Sequence, residues 1–476
     1  MAVAMLSKHK KIKLPTLGPN LSEAEAREIY RRGEEATVFA LLELAQHWGA
    51  SEQPPPTPAT PSAMIPTFQK PAAKRGKRPG RKPGHPGAPR AERPKPTVFK
   101  EHRANVCPDC GGSLTRCRQM RTRQTVDIPA GIHVETTQHT IHRDWCQTCH
   151  KHVEAVVPDA LPGSEVGNRT LVLSAWWHYG LGLTTRQIAD VLNYHLGLEL
   201  SRGGLTKMWR RLSGTLRPWY EQIREQALRS GVLHGDETGW RESGKTHWLW
   251  AFATVDATFY MIDRSRSAAA LKKFFCEEFA GTLVTDFWGP YNAVACSRRQ
   301  VCLVHLLRDL KHVEQYKQPS RHWPPFAKKL RRLLGDAMRL KKNDELADES
   351  YASRRTRIDT RLDELIGTPW EDSQARRLIK RLRRHRDDLF TFLDHDDVPF
   401  DNNHAERSIR PAVVMRKNQY GNRSASGAET QALLMSIYRT LQQRGHDPLT
   451  IISNAIATHL QTGQLPNLPP KLAPSG

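Results

Sequence analysis

No stretch of the 476 residues comes near the roughly 18 consecutive apolar positions that a bilayer-spanning helix needs. The opening Met1-Ala2-Val3-Ala4-Met5-Leu6 is too short for the core of a secretory leader, so the expected location is the cytoplasm and no membrane partner is expected. Cysteine is scarce. Of eight, four sit in two C-x-x-C pairs and four are scattered, which suits a metal site better than a disulfide framework. Acids are in short supply as well: 49 stand against 72 lysines and arginines, a net charge of +23. Basic side chains release counterions from a polyanion when they neutralise its phosphates, so nucleic acid is the expected partner.

A chain of this length exceeds one average domain, and composition divides it. Residues 1–50 read as an N-terminal helical segment, with Ile29, Val38, Leu41, Leu42 and Leu44 available for an apolar face. They fill about one and a half heptads, too few for a coiled coil. Residues 51–100 hold 13 of the 32 prolines, and from Lys70 to Lys100 eleven lysines and arginines face one acid, Glu92. Such sequence cannot bury a core and reads as a Pro-rich basic linker. Its Lys74, Arg75, Lys77, Arg78, Arg81 and Lys82 are candidate contacts to a DNA groove, the alternative being a solvated tether.

Residues 101–157 carry Cys107-x-x-Cys110 and, thirty-five residues on, Cys146-x-x-Cys149. Two such pairs offer four thiolates to one structural, tetrahedral Zn²⁺, and alternating runs at 125–129 and 132–136 predict a β-ribbon between them. Cys117, His142, His150 and His152 are alternative ligands. Residues 165–229 read as helices around a bend near Gly197, with Leu205, Met208, Trp209 and Leu212 on one face. Lys207, Arg210 and Arg211 lie on the other, as in a helix-turn-helix that meets DNA, although the connection from Tyr194 to Leu200 is longer than the usual turn.

Two later stretches resemble each other. In Gly231 to Trp240 an apolar run leads into Asp236, and in Gly281 to Gly289 another leads into Asp286, each with an aromatic residue and a glycine behind it. Two strand-end carboxylates that meet in space begin a site for a hard divalent cation, although the residues alone do not rank these two above Glu237 or Asp263. A third acid, Glu406, stands in the polar run Asp401-Asn402-Asn403-His404-Ala405-Glu406-Arg407, which looks like a helix start. Strands are predicted at 248–254, 259–263 and 283–286 with a helix from Ala268 to Phe279, the opening of a ribonuclease-H-like domain over 230–430 with a helical insertion at 315–398. That insertion is rich in arginine and lysine, as at 328–334 and 376–384, which would present basic helices to phosphates. Arg407 and Arg410 extend the basic surface, together with Arg416 and Lys417. Residues 421–427 read as a mobile loop, and 431–476 as a C-terminal helical segment and tail.

The motif order, paired C-x-x-C, H-G-D-E-T-G-W, T-D-x-W-G-x-Y, C-x-x-H-x-x-R (from Cys302 through His305) and D-N-N-H-A-E-R-S-I-R-P, resembles the transposases of insertion-sequence family sixty-six over residues 100 to 455. The resemblance implies a multidomain α/β protein whose ribonuclease-H-like catalytic domain follows a zinc-binding β-rich region and a helical DNA-binding segment. It implies a D-D-E triad of Asp236, Asp286 and Glu406 holding Mg²⁺ or Mn²⁺, with Asp236 bridging two ions, beside a structural Zn²⁺. The implied partners are the terminal inverted repeats of a bacterial element, target DNA, accessory proteins of the same element, and further copies of the chain on DNA, at the nucleoid. In this expectation the Cys302–His305 element shapes the DNA site rather than holding zinc. The alternative function is a domesticated, transposase-derived DNA-binding protein that no longer cuts.

Overall fold

Helix-forming sequence flanks a strand-forming stretch between residues 232 and 301, and that contrast orders the elements. The computed structural model describes residues 23–31, 33–34, 37–38 and 41, residues 134–154 apart from 142 and 149, and residues 157–473 apart from 318, 344 and 345. The chain divides into two units, residues 1–65 and 66–476. In the first, helix α1 (Glu23–Arg31) carries an i,i+4 pair between Glu23 and Arg27. Its Ile29 is buried, whereas Val38 and Leu41, expected on an apolar face, are exposed. Leu42 and Leu44 lie outside the described residues.

The second unit begins, among the described residues, with an antiparallel hairpin of β1 (Arg143–Cys146) and β2 (Lys151–Glu154). Helices α2 (Asn168–Ala175), α3 (Thr185–Asp190), α4 (Arg202–Thr215) and α5 (Arg217–Leu228) follow. Thr184 and Gln187 form a reciprocal capping box on α3, and the Ser201 hydroxyl caps α4 by accepting from Gly204. The expected apolar face of α4 is buried at Leu205, Trp209 and Leu212.

The sheet is built from β3 (Val232–Glu242), β4 (Lys245–Ala253), β5 (Thr258–Asp263), β6 (Phe279–Thr285) and β7 (Cys296–Val301), in the order β5-β4-β3-β6-β7. β3 is antiparallel to β4 and parallel to β6, so the first and fourth strands are neighbours. The crossover helix α6 (Ala268–Phe274) is shorter than the sequence predicts. Phe274 stacks on Phe252 with ring centroids 3.9 Å apart and Phe275 meets the same ring edge-on, so the chain turns to seat both rings and Phe279 opens β6 instead. β7 was not expected at all. Its Ser297-Arg298-Arg299 has no apolar alternation, and it becomes a strand because β6 offers a free edge to pair with.

Beyond β7 come α7 (Leu303–Tyr316), α8 (Trp323–Lys341), α9 (Asp348–Gly367) and α10 (Ser373–Arg384), which share a second core with Val284 and Val301 of the sheet. The chain then returns through α11 (Asn403–Gln419), α12 (Ala425–Gln443) and α13 (Pro448–Thr462). α12 covers edge strand β5 and hydrogen-bonds to it: Tyr260 N–H donates to Ser436 Oγ at 2.8 Å and Thr258 N–H to Thr440 Oγ1 at 3.1 Å.

The segment 421–427 is not the free loop the sequence suggested. Buried Trp240 donates its indole N–H to Asn422 Oδ1 at 2.7 Å, and Asn422 exchanges backbone hydrogen bonds with Arg241 and Ser243. Gly421 has φ +106°, and a Cβ there would lie 2.2 Å from the Arg241 carbonyl, so glycine is what lets the chain approach the hairpin this closely.

Candidate active site

In the parallel pair β3/β6, His234 stands opposite Val284. Side chains alternate along a strand, so the residues two further on, Asp236 and Asp286, leave the two strands on the same side. Both are half-buried. Asp236 Oδ1 accepts from the Glu237 N–H and Asp286 Oδ1 from the Trp288 N–H, each at 2.9 Å, which fixes each carboxylate against its own backbone.

The third acid is brought in by a small set of buried polar contacts. Asn402 is 1% exposed. Its Nδ2 donates to the Gly235 carbonyl at 2.8 Å, and its Oδ1 lies 3.0 Å from His234 Nδ1. Its own N–H reaches Cys302 Sγ at 3.3 Å, while the Cys302 N–H donates to the Thr285 carbonyl at 2.9 Å. Asn402 and Cys302 therefore tie β3, at Gly235, and the end of β6 to the starts of α7 and α11. Glu406, whose N–H bonds back to the Asn402 carbonyl, sits in the first turn of α11 over this junction. Arg308 donates Nη1 to its Oε1 at 2.8 Å and Nη2 to its Oε2 at 3.1 Å, and His305 Nε2 stands 3.9 Å from Oε1. Cys302, His305 and Arg308, three residues apart, thus present one face of α7 to Glu406.

Burial raises the Asp236 carboxyl well above the usual range, and the charges of Glu237, Asp286 and Glu406 add to it. Asp286 is raised by burial as well, with Glu406 again contributing. The three acids thus share one electrostatic field. Among the described residues no three His, Cys, Asp or Glu side chains stand close enough to grip a metal ion as they are, and the Glu406 carboxylate is turned to Arg308.

Glu237 was not singled out by the sequence. It points to the other face of β3 and is pushed up to about 7, by burial first and then by Asp286, against the opposing pull of Arg266 and Tyr291. Tyr291 Oη donates to its Oε2 at 2.7 Å, and Arg266 donates to Oε1 through Nε at 3.0 Å and Nη2 at 2.8 Å. The Arg266 guanidinium lies between the rings of Trp248 and Trp288, 4.4 and 3.8 Å from their centroids. The trace of this network in the sequence is Gly235, where a Cβ would come within 3.1 Å of the Tyr291 ring.

The predicted DNA contacts divide. Lys207, Arg210, Arg407 and Arg410 are exposed. Arg211 instead donates to the Pro162 carbonyl, and Arg416 turns inward to Thr238 Oγ1 at 3.1 Å and to the Gly239 carbonyl. A guanidinium within reach of an unpaired carbonyl satisfies it, and these two arginines do so. Cys146 closes β1. Cys107, Cys110 and Cys149, and the linker cations Lys74, Arg75, Lys77, Arg78, Arg81 and Lys82, lie outside the described residues.

A sequence model described as "Transposase IS66 family" matches residues 163–430, more than half of the chain and all three acids. The chain belongs to the IS66 transposase family. A second, the "zinc-finger binding domain of transposase IS66", matches residues 105–150, an interval that contains Cys107, Cys110, Cys146 and Cys149. Two relatives come from Sinorhizobium fredii. The uncharacterized protein y4jD is 25% identical over 402 residues, covering 76% of this chain and 76% of its own. The uncharacterized protein y4qI is 26% identical over 299 residues, covering 55% and 53%. As an IS66 transposase the protein is a DNA-binding protein with a zinc-finger domain, and among the described residues no helix is long and apolar enough to cross a membrane.

Proposed function

We propose that this IS66 transposase cuts a phosphodiester at the ends of its element and joins the released 3′-hydroxyl to target DNA, with Asp236, Asp286 and Glu406 as the catalytic acids of a ribonuclease-H-like domain over residues 230–430. The observation that supports this reading most is the β3/β6 register, which sends Asp236 and Asp286 off one side of neighbouring strands while Glu406 enters their field from α11. The strand order, three antiparallel strands followed by two parallel ones, supports the fold assignment.

The donor set fits Mg²⁺ or Mn²⁺: three carboxylates are hard oxygen ligands, and their mutual repulsion in a half-buried site is relieved by a dication. When bound there, such ions lower the pKa of the attacking hydroxyl and neutralise charge developing on the leaving oxygen. The protein's part is positional. Asn402 and Cys302 hold the two strands and the helix starts in one frame, Arg308 orients the Glu406 carboxylate, and the Glu237–Arg266–Tyr291 network fixes the strand behind Asp236. Arg407 and Arg410, exposed on the turns that carry Glu406, supply cations for the DNA backbone. The four paired cysteines hold a structural Zn²⁺ in the zinc-finger domain.

The test is cleavage of an element-end duplex with Mg²⁺. Glu406→Gln and Asp236→Asn keep binding the duplex but lose cutting by orders of magnitude. Glu429→Gln, whose carboxylate pairs with Arg217 on the surface, cuts like the wild type. Normal cutting by Glu406→Gln, or its loss in Glu429→Gln, removes Glu406 from the mechanism.

A further inference from the structure

Helices α8 and α9 carry matching stripes. On α8, Lys329, Arg332, Asp336 and Arg339 are spaced three, four and three apart; on α9, Arg354, Arg357, Arg361 and Glu364 repeat that spacing. Residues so spaced fall on one side of a helix. The two stripes line a single open groove of about 820 Å³ between the helices. It runs from Lys329 on α8 to Asn343 just past that helix's end, roughly 20 Å at 1.5 Å per residue.

Six cations and two acids face this groove. Asp336 is already used: Arg361 donates to its Oδ2 at 2.8 Å and Arg339 binds its other oxygen. Arg332, Arg354 and Arg357 are exposed and have no acidic partner among the described residues. Several cations elsewhere on the same helical layer do have acidic partners. Arg331 pairs with Glu314 at 2.7 Å, Arg355 with Asp394 at 2.9 Å, Arg386 with Asp363 at 2.7 Å and Lys341 with Asp396 at 3.1 Å. In this concavity six cations meet two acids, one of them already shared by Arg339 and Arg361, so positive charge is left uncompensated where the surface is concave. Like charges gathered in a cleft repel one another and focus a positive potential outward, an arrangement that a polyanion reverses from cost to attraction.

We propose that the α8/α9 groove is a sequence-independent phosphate-backbone site for duplex DNA, separate from the carboxylate cluster. This rests on the reading of DNA as the protein's partner, and not on the assignment of the catalytic acids. One strand of a duplex presents a charge about every 3.4 Å of axis, so a groove of roughly 20 Å spans on the order of six phosphates. Arginine forks suit such a track, because each takes phosphate oxygens two at a time without reading a base. The groove lies between α8 and α9, and none of its lining residues belongs to the carboxylate cluster or to the His305–Arg308 face of α7.

The experiment measures binding of the full-length protein to a random-sequence duplex and to an element-end duplex across a salt series, without divalent metal. The variant Arg332→Gln/Arg354→Gln/Arg357→Gln is compared with Arg229→Gln/Lys272→Gln/Lys471→Gln, which removes the same charge from exposed positions outside the groove. Thermal melts establish that both are folded. The groove variant lowers the slope of log K against log salt by about 2 to 3, near 0.9 for each phosphate no longer neutralised, equally on both duplexes, while the control changes it by less than about 1. Matching slopes for the two variants overturn the proposal. So does an unchanged DNA slope combined with lost binding of poly-glutamate, which assigns the groove to an acidic protein. No cleavage is read in these measurements, so normal cutting by Glu406→Gln would sink the catalytic assignment and leave this site standing.

Discussion

Arg308 holds Glu406 with both arms of its guanidinium across ninety-eight residues of sequence, at 2.8 and 3.1 Å. The pair is about half exposed on the arginine side, so its worth lies in orientation rather than in stability. Arg308→Lys keeps the charge and loses the fork, and Arg308→Gln loses both. Single-turnover cleavage with Mg²⁺ is expected to fall about 10-fold for the lysine variant and about 100-fold for the glutamine variant, the range typical of groups that orient a metal ligand. Mg²⁺ dependence separates positioning from plain DNA contact: the rate recovers in part at high Mg²⁺ if Arg308 acts through Glu406. A defect seen only in DNA affinity would contradict that role.

Asp236 is uncomfortable in the protein alone. A carboxyl raised on folding contributes stability below its unfolded pKa, near 4, and loses it as pH rises through the folded value. Asp236 and Asp286 are both raised, and Glu237, raised to about 7, loses its share between about pH 4.5 and 7, so the metal-free protein loses stability from this cluster as pH rises. Asp236→Asn removes one of the charges. In chelator at pH 8 its melting temperature is expected to exceed that of the wild type by about 2–4 °C, the gap closing as pH falls and protonation does the same work. A variant that melts lower at pH 8 would contradict the assignment of strain to this carboxylate.

His178 acts in the opposite direction. Burial lowers it to about 4, with its ring stacked on Trp209 and its Nδ1 2.7 Å from the Leu183 carbonyl. A histidine lowered on folding contributes stability above its unfolded value of 6.5 and loses it as pH falls toward 4, on the order of 3 kcal/mol at most. His178→Phe keeps the stack, and Gln419 Nε2 still donates to the Leu183 carbonyl at 3.0 Å. Urea unfolding from pH 7.5 to 5 should show a shallower loss of stability in this variant. His234, also lowered to about 4 by burial, and His305 and His404, lowered by burial as well, retain part of the slope.

Zinc content provides an independent check on the finger. Freshly reduced protein is expected to carry about one zinc per chain, and Cys107→Ser/Cys110→Ser to release it. Cys302→Ser serves as the control, because its sulfur accepts the Asn402 N–H and is committed to the junction of α7 and α11. Zinc loss in Cys302→Ser, or full occupancy in the double variant, would show that the ligands are elsewhere.

The apolar runs before Asp236 and at 283–286 were legible as strands, and the basic run 376–384 as part of a helical insertion, because these signals are local; that β6 starts already at Phe279 was not. Charge excess and cysteine pairing likewise pointed to DNA and to a zinc site, because both are properties of composition and spacing. Which acid of Asp236-Glu237 meets Asp286 was not legible: adjacent strand residues face opposite ways, and only the β3/β6 register assigns one to each side. β7 is a strand because of its neighbour rather than its own residues, and segment 421–427 is held by Trp240 and Arg241, some 180 residues away. Arginine is the least readable side chain of all. Arg211, Arg308 and Arg416 look alike in the sequence as surface cations, yet one caps a carbonyl, one orients a carboxylate and one is drawn beneath the sheet's edge, since a long, flexible guanidinium goes to whichever acceptor the finished fold leaves unpaired.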